Sequence, residues 1–120
     1  MRYCLLMHYE EGPSVGLTEA DMAPPAMAAF AAYADDLSAA GVLITTNVLD
    51  AVANTTTVTA RGGVPEIQDG PFADTKEKLG GIFVIEVADL DEALAWLNET
   101  PPQTAGGSIE IRPVARTYAP

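Results

Sequence analysis

Histidine is the side chain best suited to take and return a proton near neutral pH, and these 120 residues contain one, His8. It lies near the end of the run Tyr3-Cys4-Leu5-Leu6-Met7-His8-Tyr9, where a strand would open towards a loop. An imidazole there can be a general base or a hydrogen-bonding group in a cleft. Its plainer uses are an ordinary structural bond or an exposed ring at a strand end. Asp69 could orient or charge-pair with His8 if the segment after it folds over the first strand. Its simpler role is that of a turn aspartate accepting backbone bonds from residues ahead. Phe72, close behind, reads as a plug for the loop more than as a ligand platform. Lys76 and Lys78 are two of the six basic residues, set close together in an acidic chain. They make a spot for an anionic ligand, with Asp74 and Glu77 offsetting much of the charge. Glu110 and Arg112 share one face of a strand and could pair with each other or line a cleft. The arginine fork suits both oxygens of a carboxylate, and a cross-strand or interface salt bridge is its commoner use.

Other chemistries are poorly supplied. One His and one Cys fall short of the usual zinc ligand set, so no metal and no cofactor are expected. Gly62-Gly63 and Gly80-Gly81 lack phosphate-loop spacing. A nucleophilic triad would have to use His8 as its imidazole. Cys4 has no disulfide partner and sits in an apolar run, as a small core residue would. Six basic against seventeen acidic residues leave a net charge of −11, which repels phosphate backbones and anionic membrane surfaces. The apolar run from Tyr3 to Met7 is too short for a signal-peptide core or a membrane span, so the expected setting is cytoplasmic.

The elements that must position these groups follow from periodicity. Tyr3 to Tyr9 alternate as a first strand with apolar residues on both faces. A helix in two pieces follows, its first start signal at Thr18-Glu19-Ala20-Asp21 and its second at Pro24-Pro25. Phe30, Ala34 and Leu37 make its apolar stripe and Gly41 caps it. Val42 to Leu49 form a strand. Thr55 to Arg61 and Val64 to Gln68 form a hairpin turning tightly at Gly62-Gly63. After a loop over Asp69 to Gly81, Ile82-Phe83-Val84-Ile85-Glu86-Val87 is the most hydrophobic strand and should be central. Asp89-Leu90-Asp91-Glu92 opens a second helix that buries Leu90, Ala93, Leu94 and Leu97. Ser108 to Val114 alternate as a last strand.

This order fits a single domain over residues 1–120 with a ferredoxin-like α+β fold, an antiparallel sheet with two helices on one face. Apolar residues remain for the other face. The simplest cover is a second copy, giving a homodimer through the open sheet face and a dimeric α+β barrel.

The stretch Asp69-Gly70-Pro71-Phe72-Ala73-Asp74-Thr75-Lys76-Glu77-Lys78-Leu79-Gly80-Gly81 resembles the signature of the DGPF subgroup of the YCII-related family. The opening Met1-Arg2-Tyr3-Cys4-Leu5-Leu6, the segment Asp89-Leu90-Asp91-Glu92-Ala93 and the ending Gly107-Ser108-Ile109-Glu110-Ile111-Arg112-Pro113-Val114 match the same pattern. The resemblance covers essentially the whole chain. It implies a dimeric ferredoxin-like α+β barrel, largely uncharacterised relatives, and frequent genetic neighbourhood with extracytoplasmic-function sigma factors. Some relatives pair a histidine near the first helix with an aspartate. Thr18 to Ala40 hold no histidine here, so that pair does not carry over by position.

The resulting expectation is a small-molecule-binding or catalytic domain with a pocket bounded by the first strand and the Asp69 loop. Proton transfer on a small carboxylated or carbonyl substrate would use His8 as base and Asp69 as its orienting partner. Arg112 or Lys76 would contact the anion, with Phe72 beside it. The competing expectation is a non-catalytic partner in a sigma-factor circuit that presents its acidic surface.

Overall fold

The computed structural model describes residues 1–10, 24–73, 76–98 and 107–120. Its elements run β1 (Arg2–Glu10), α1 (Pro24–Ala39), β2 (Leu43–Val48), β3 (Thr56–Thr59), β4 (Glu66–Asp69), β5 (Glu77–Glu86), α2 (Leu90–Leu97) and β6 (Ser108–Pro113). The main sheet is antiparallel, in the order β2-β5-β1-β6. This is the ferredoxin-like arrangement, with the β3–β4 hairpin inserted between β2 and β5.

Alternation along β1 sorts its side chains. Tyr3, Leu5 and Met7 are buried, whereas Cys4, Leu6 and His8 are half-buried on the other face. The buried set packs against Phe83 and Ile85 of β5 and against the helices through Phe30, Tyr33, Leu37 and Ala93. Burying each large apolar side chain of this kind contributes about 1.5–3 kcal/mol. The ring of Tyr33 meets Phe83 edge-on at 5.3 Å, and its hydroxyl donates to the Trp96 carbonyl at 3.0 Å, linking α1, β5 and α2.

Local signals explain the helix ends. Pro24 opens α1, where a missing backbone N–H costs nothing. The helix closes in a Schellman motif: Gly41 takes φ +75°, its N–H donates to Ser38, and the Val42 N–H donates to Leu37. The earlier helical piece expected at Thr18 lies outside the described residues. At the start of α2, the Asp89 carboxylate accepts from the Glu92 N–H at 3.0 Å, while the Glu92 carboxylate accepts from the Ala88 N–H at 2.6 Å. The buried stripe of α2 runs Ala93, Trp96, Leu97, the last two half-buried. Leu90 and Leu94, expected inside, are exposed, because the small Ala93 turns that side of the helix to the core.

Two expectations about the sheet need correction. The α+β barrel is not formed. Among the described residues, β2 and β6 are the edges of an open four-stranded sheet, and β3 and β4 pair with each other instead of extending it. Four strands are too few to bring one edge of a sheet round to the other. Second, β5 begins at Glu77 and not at Ile82, because pairing with β1 extends down to Glu10 opposite Glu77. The tight turn expected at Gly62-Gly63 is present: both glycines take positive φ, +67° and +82°, as a two-residue hairpin loop requires, and the register that sets Thr59 opposite Glu66 leads into it.

The second face of the sheet carries Cys4, Leu6, Ile82 and Val84, all half-buried. Among the described residues, no helix is long and apolar enough to cross a membrane.

Candidate functional site

The register of the central strands decides who meets His8. β6 runs antiparallel to β1 with Leu6 opposite Glu110 and His8 opposite Ser108. His8 and Glu110 therefore lie on one face, diagonal to each other. The contact forms: His8 Nε2 and Glu110 Oε1 are 2.6 Å apart. The imidazole side chain is 25% exposed and the carboxylate 59%. A carboxylate can only accept, so Nε2 carries the hydrogen and donates it. In the neutral ring the lone pair is then on Nδ1. Glu110 thus fixes the tautomer and orientation of the His8 ring.

A cavity of about 450 Å³ opens beside this pair. One wall is the end of the central sheet: His8 from β1, with Glu77, Lys78 and Leu79 from β5. A break in the β1–β5 ladder shapes this wall, since Met7 pairs with Gly81 but His8 with Leu79. The opposite wall is the insertion, through Leu49, Val52, Thr55 and Thr57, and the segment Pro71-Phe72-Ala73. The insertion is tied down by backbone bonds, Leu49 N–H to the Gly80 carbonyl at 2.9 Å and Gly70 N–H to the Thr55 carbonyl at 2.8 Å. The Thr57 hydroxyl donates to the Gly70 carbonyl at 2.7 Å. Apolar walls with a few polar groups are the usual make-up of a small-molecule site of this size.

The candidates read from sequence divide accordingly. His8, Phe72 and Lys78 line the cavity. Asp69 does not; it is exposed at the end of β4, opposite Thr56, while His8 bonds Glu110 instead. Lys76 is exposed just ahead of β5, outside the lining. Arg112 is exposed on β6 opposite Cys4, also outside the lining. Burial pushes the Cys4 thiol above its ordinary pKa, against a smaller opposing pull from the Arg112 guanidinium. Phe72 is not a plug, since it is 73% exposed. Glu110 as the partner of His8 was missed. The strict alternation of the last strand held the signal, but only the β1–β6 register turns it into a contact.

The chemistry available is acid–base. An imidazole held by a carboxylate borders an apolar cavity, with a lysine and a glutamate on the same wall. Among the described residues, no three His, Cys, Asp or Glu side chains converge as a metal-binding group.

Comparison with known proteins gives two findings. The model of the YCII-related domain matches residues 1–117. An uncharacterised protein of Rhizobium meliloti (strain 1021) is 45% identical over 69 residues, which take in 53% of this chain and 54% of that protein. The chain therefore spans about half the length of this curated relative. With nearly its whole length matched, from the first strand past the last, the chain belongs to the YCII-related domain family.

Proposed function

We propose that this chain binds a small carbonyl or carboxylate compound in the cavity beside β1 and moves a proton on it. The observation that carries this reading is the 2.6 Å bond between His8 and Glu110 at the edge of a cavity of about 450 Å³. His8 is the base, Glu110 holds its tautomer, and Lys78 supplies positive charge on the cavity wall for a developing enolate or a carboxylate. Asp69 has no part in this reading. The Asp69-Gly70-Pro71-Phe72 stretch supports membership of the DGPF subgroup. A lone thiol without a disulfide partner suits a cytoplasmic setting. The half-buried stripe Cys4, Leu6, Ile82 and Val84 is where we place self-association. A Leu6→Lys chain that sediments like the wild type would argue against that placement.

Deuterium exchange tests the chemistry directly. Wild-type protein in D₂O should exchange the hydrogens next to the carbonyl of pyruvate or a related keto acid faster than buffer does. His8→Gln should lower the enhancement by about 100-fold or more. If the wild type gives no enhancement across such a panel, or His8→Gln keeps it, the catalytic reading fails. The chain is then better described as a non-catalytic partner in an extracytoplasmic-function sigma-factor circuit.

A further inference from the structure

Phe72 combines two properties that rarely go together: it forms part of the cavity wall, and it is 73% exposed. Leaving most of a phenyl ring in water forgoes stabilisation that burial would give, so its placement needs a reason. The mount beneath it is well fixed. Gly70 adopts φ +97°, a conformation that other residues rarely take, and is held at both its N–H and its carbonyl by Thr55 and Thr57. Pro71 then sets the chain direction into Phe72. The apolar walls otherwise come from aliphatic side chains, Leu49, Val52 and Leu79 among them. Phe72 therefore brings an aromatic side chain to the cavity wall with most of its surface uncovered.

From this we infer that the ligand class is a planar, one-ring carbonyl compound, an aryl keto acid in its simplest form, whose ring stacks on Phe72. The inference rests on the proton-transfer reading of His8 and narrows its substrate. The cavity of about 450 Å³ is about three times the ~150 Å³ that accommodates one benzene ring, leaving room for a short polar side chain. A carboxylate on that side chain is matched by the Lys78 charge on the same wall. The reaction is keto–enol tautomerisation. His8 Nδ1 takes the hydrogen from the carbon between ring and carbonyl, and that C–H bond breaks. Its electron pair becomes the new C=C bond while the carbonyl π pair moves onto oxygen. The proton on His8 then passes to that oxygen, giving the enol and restoring the neutral ring. Substrate and product have the same atoms and electrons, so no co-reactant is needed.

The test compares phenylpyruvate with cyclohexylpyruvate, which has a saturated ring of similar size. Calorimetric Kd values would be measured on the wild type, Phe72→Leu and His8→Gln. Wild-type protein should bind the planar ring roughly 2- to 12-fold more tightly, the worth of an aromatic pair beyond area burial. Phe72→Leu keeps apolar bulk and loses the π face, so the preference should fall towards unity. His8→Gln should keep the preference while its deuterium exchange collapses. Equal binding of the two rings by the wild type, binding of neither, or a preference that survives in Phe72→Leu each overturns the planar-ring assignment. None of those results touches the proton-transfer reading, which pyruvate exchange by the wild-type protein measures separately. Unliganded melting temperatures check that Phe72→Leu, an exposed change, folds as the wild type does.

Discussion

The bond between His8 and Glu110 should be measurable as a coupling energy. The perturbation is a double-mutant cycle of His8→Ala, Glu110→Ala and the pair together, followed by denaturant unfolding at neutral pH. Two structural quantities set the magnitude. The side chains are 25% and 59% exposed, so water screens the pair and the starting estimate is ~0.2–1 kcal/mol. The separation of 2.6 Å marks a short, charge-assisted bond, which places the value near the top of that range, about 1 kcal/mol. For a chain of 120 residues a loss of that size lowers Tm by roughly 3–6 °C. High salt should reduce the coupling, because the carboxylate is the more exposed partner. A second readout is independent of stability. The chain has a single histidine, so one imidazole Nε2–H signal belongs to His8, and the carboxylate should slow its exchange enough for detection by NMR. Glu110→Ala should abolish that signal. A coupling below ~0.2 kcal/mol together with an unchanged signal in Glu110→Ala would refute the claim that Glu110 positions the base.

Three further outcomes follow from the same geometry. Leu37→Ala in α1 empties a fully buried site and should cost about 2–5 kcal/mol by denaturant unfolding; a cost under ~1 kcal/mol would contradict the packing described. Gly70→Ala meets no atom within 4 Å, yet must hold φ +97°, so it should cost about 1–2 kcal/mol through backbone strain alone, read as a lowered Tm. For Cys4, the folded-state pKa is raised, so its contribution to stability is complete below the unfolded thiol's pKa and declines as pH climbs through the folded one. Arg112→Gln removes the opposing pull, so alkylation of Cys4 by iodoacetamide at mildly alkaline pH should slow further; a faster rate would reverse the assigned cause.

Much of the fold was legible because its signals are local. The β-branched density of β2, the capping residues before α2 and the glycine after α1 each depend on a few neighbours in sequence. The errors arose where a distant partner decides. Glu77-Lys78-Leu79-Gly80-Gly81 looks like loop by composition, yet β1 supplies a pairing edge that draws it into β5. Leu90 and Leu94 appear on an apolar stripe, but Ala93 sets the side of α2 that approaches the core. The site shows the same division. His8 stood out by residue type alone and lines the cavity, whereas the place of Phe72 after a Gly-Pro turn suggested a plug and the structure leaves it exposed at the cavity wall. The partner of His8 depends on strand register, a long-range quantity, so proximity to a conspicuous loop pointed to Asp69 when the sheet supplies Glu110.

The β3–β4 insertion has an energetic consequence of its own. A two-stranded ribbon is at best marginally stable by itself in water. This one leaves its cross-strand pair Val58 and Ile67 exposed, at 61% and 73%. The cavity is therefore bounded on one side by the best-packed strands of the molecule and on the other by a ribbon with little burial of its own. A ligand seated between them would bury surface that the ribbon cannot bury alone, so part of its binding free energy would appear as protection of the ribbon. Amide hydrogens such as those of Gly70 and Leu49 would then report occupancy, while those deep in β1 and β5 would keep the exchange rates of global unfolding.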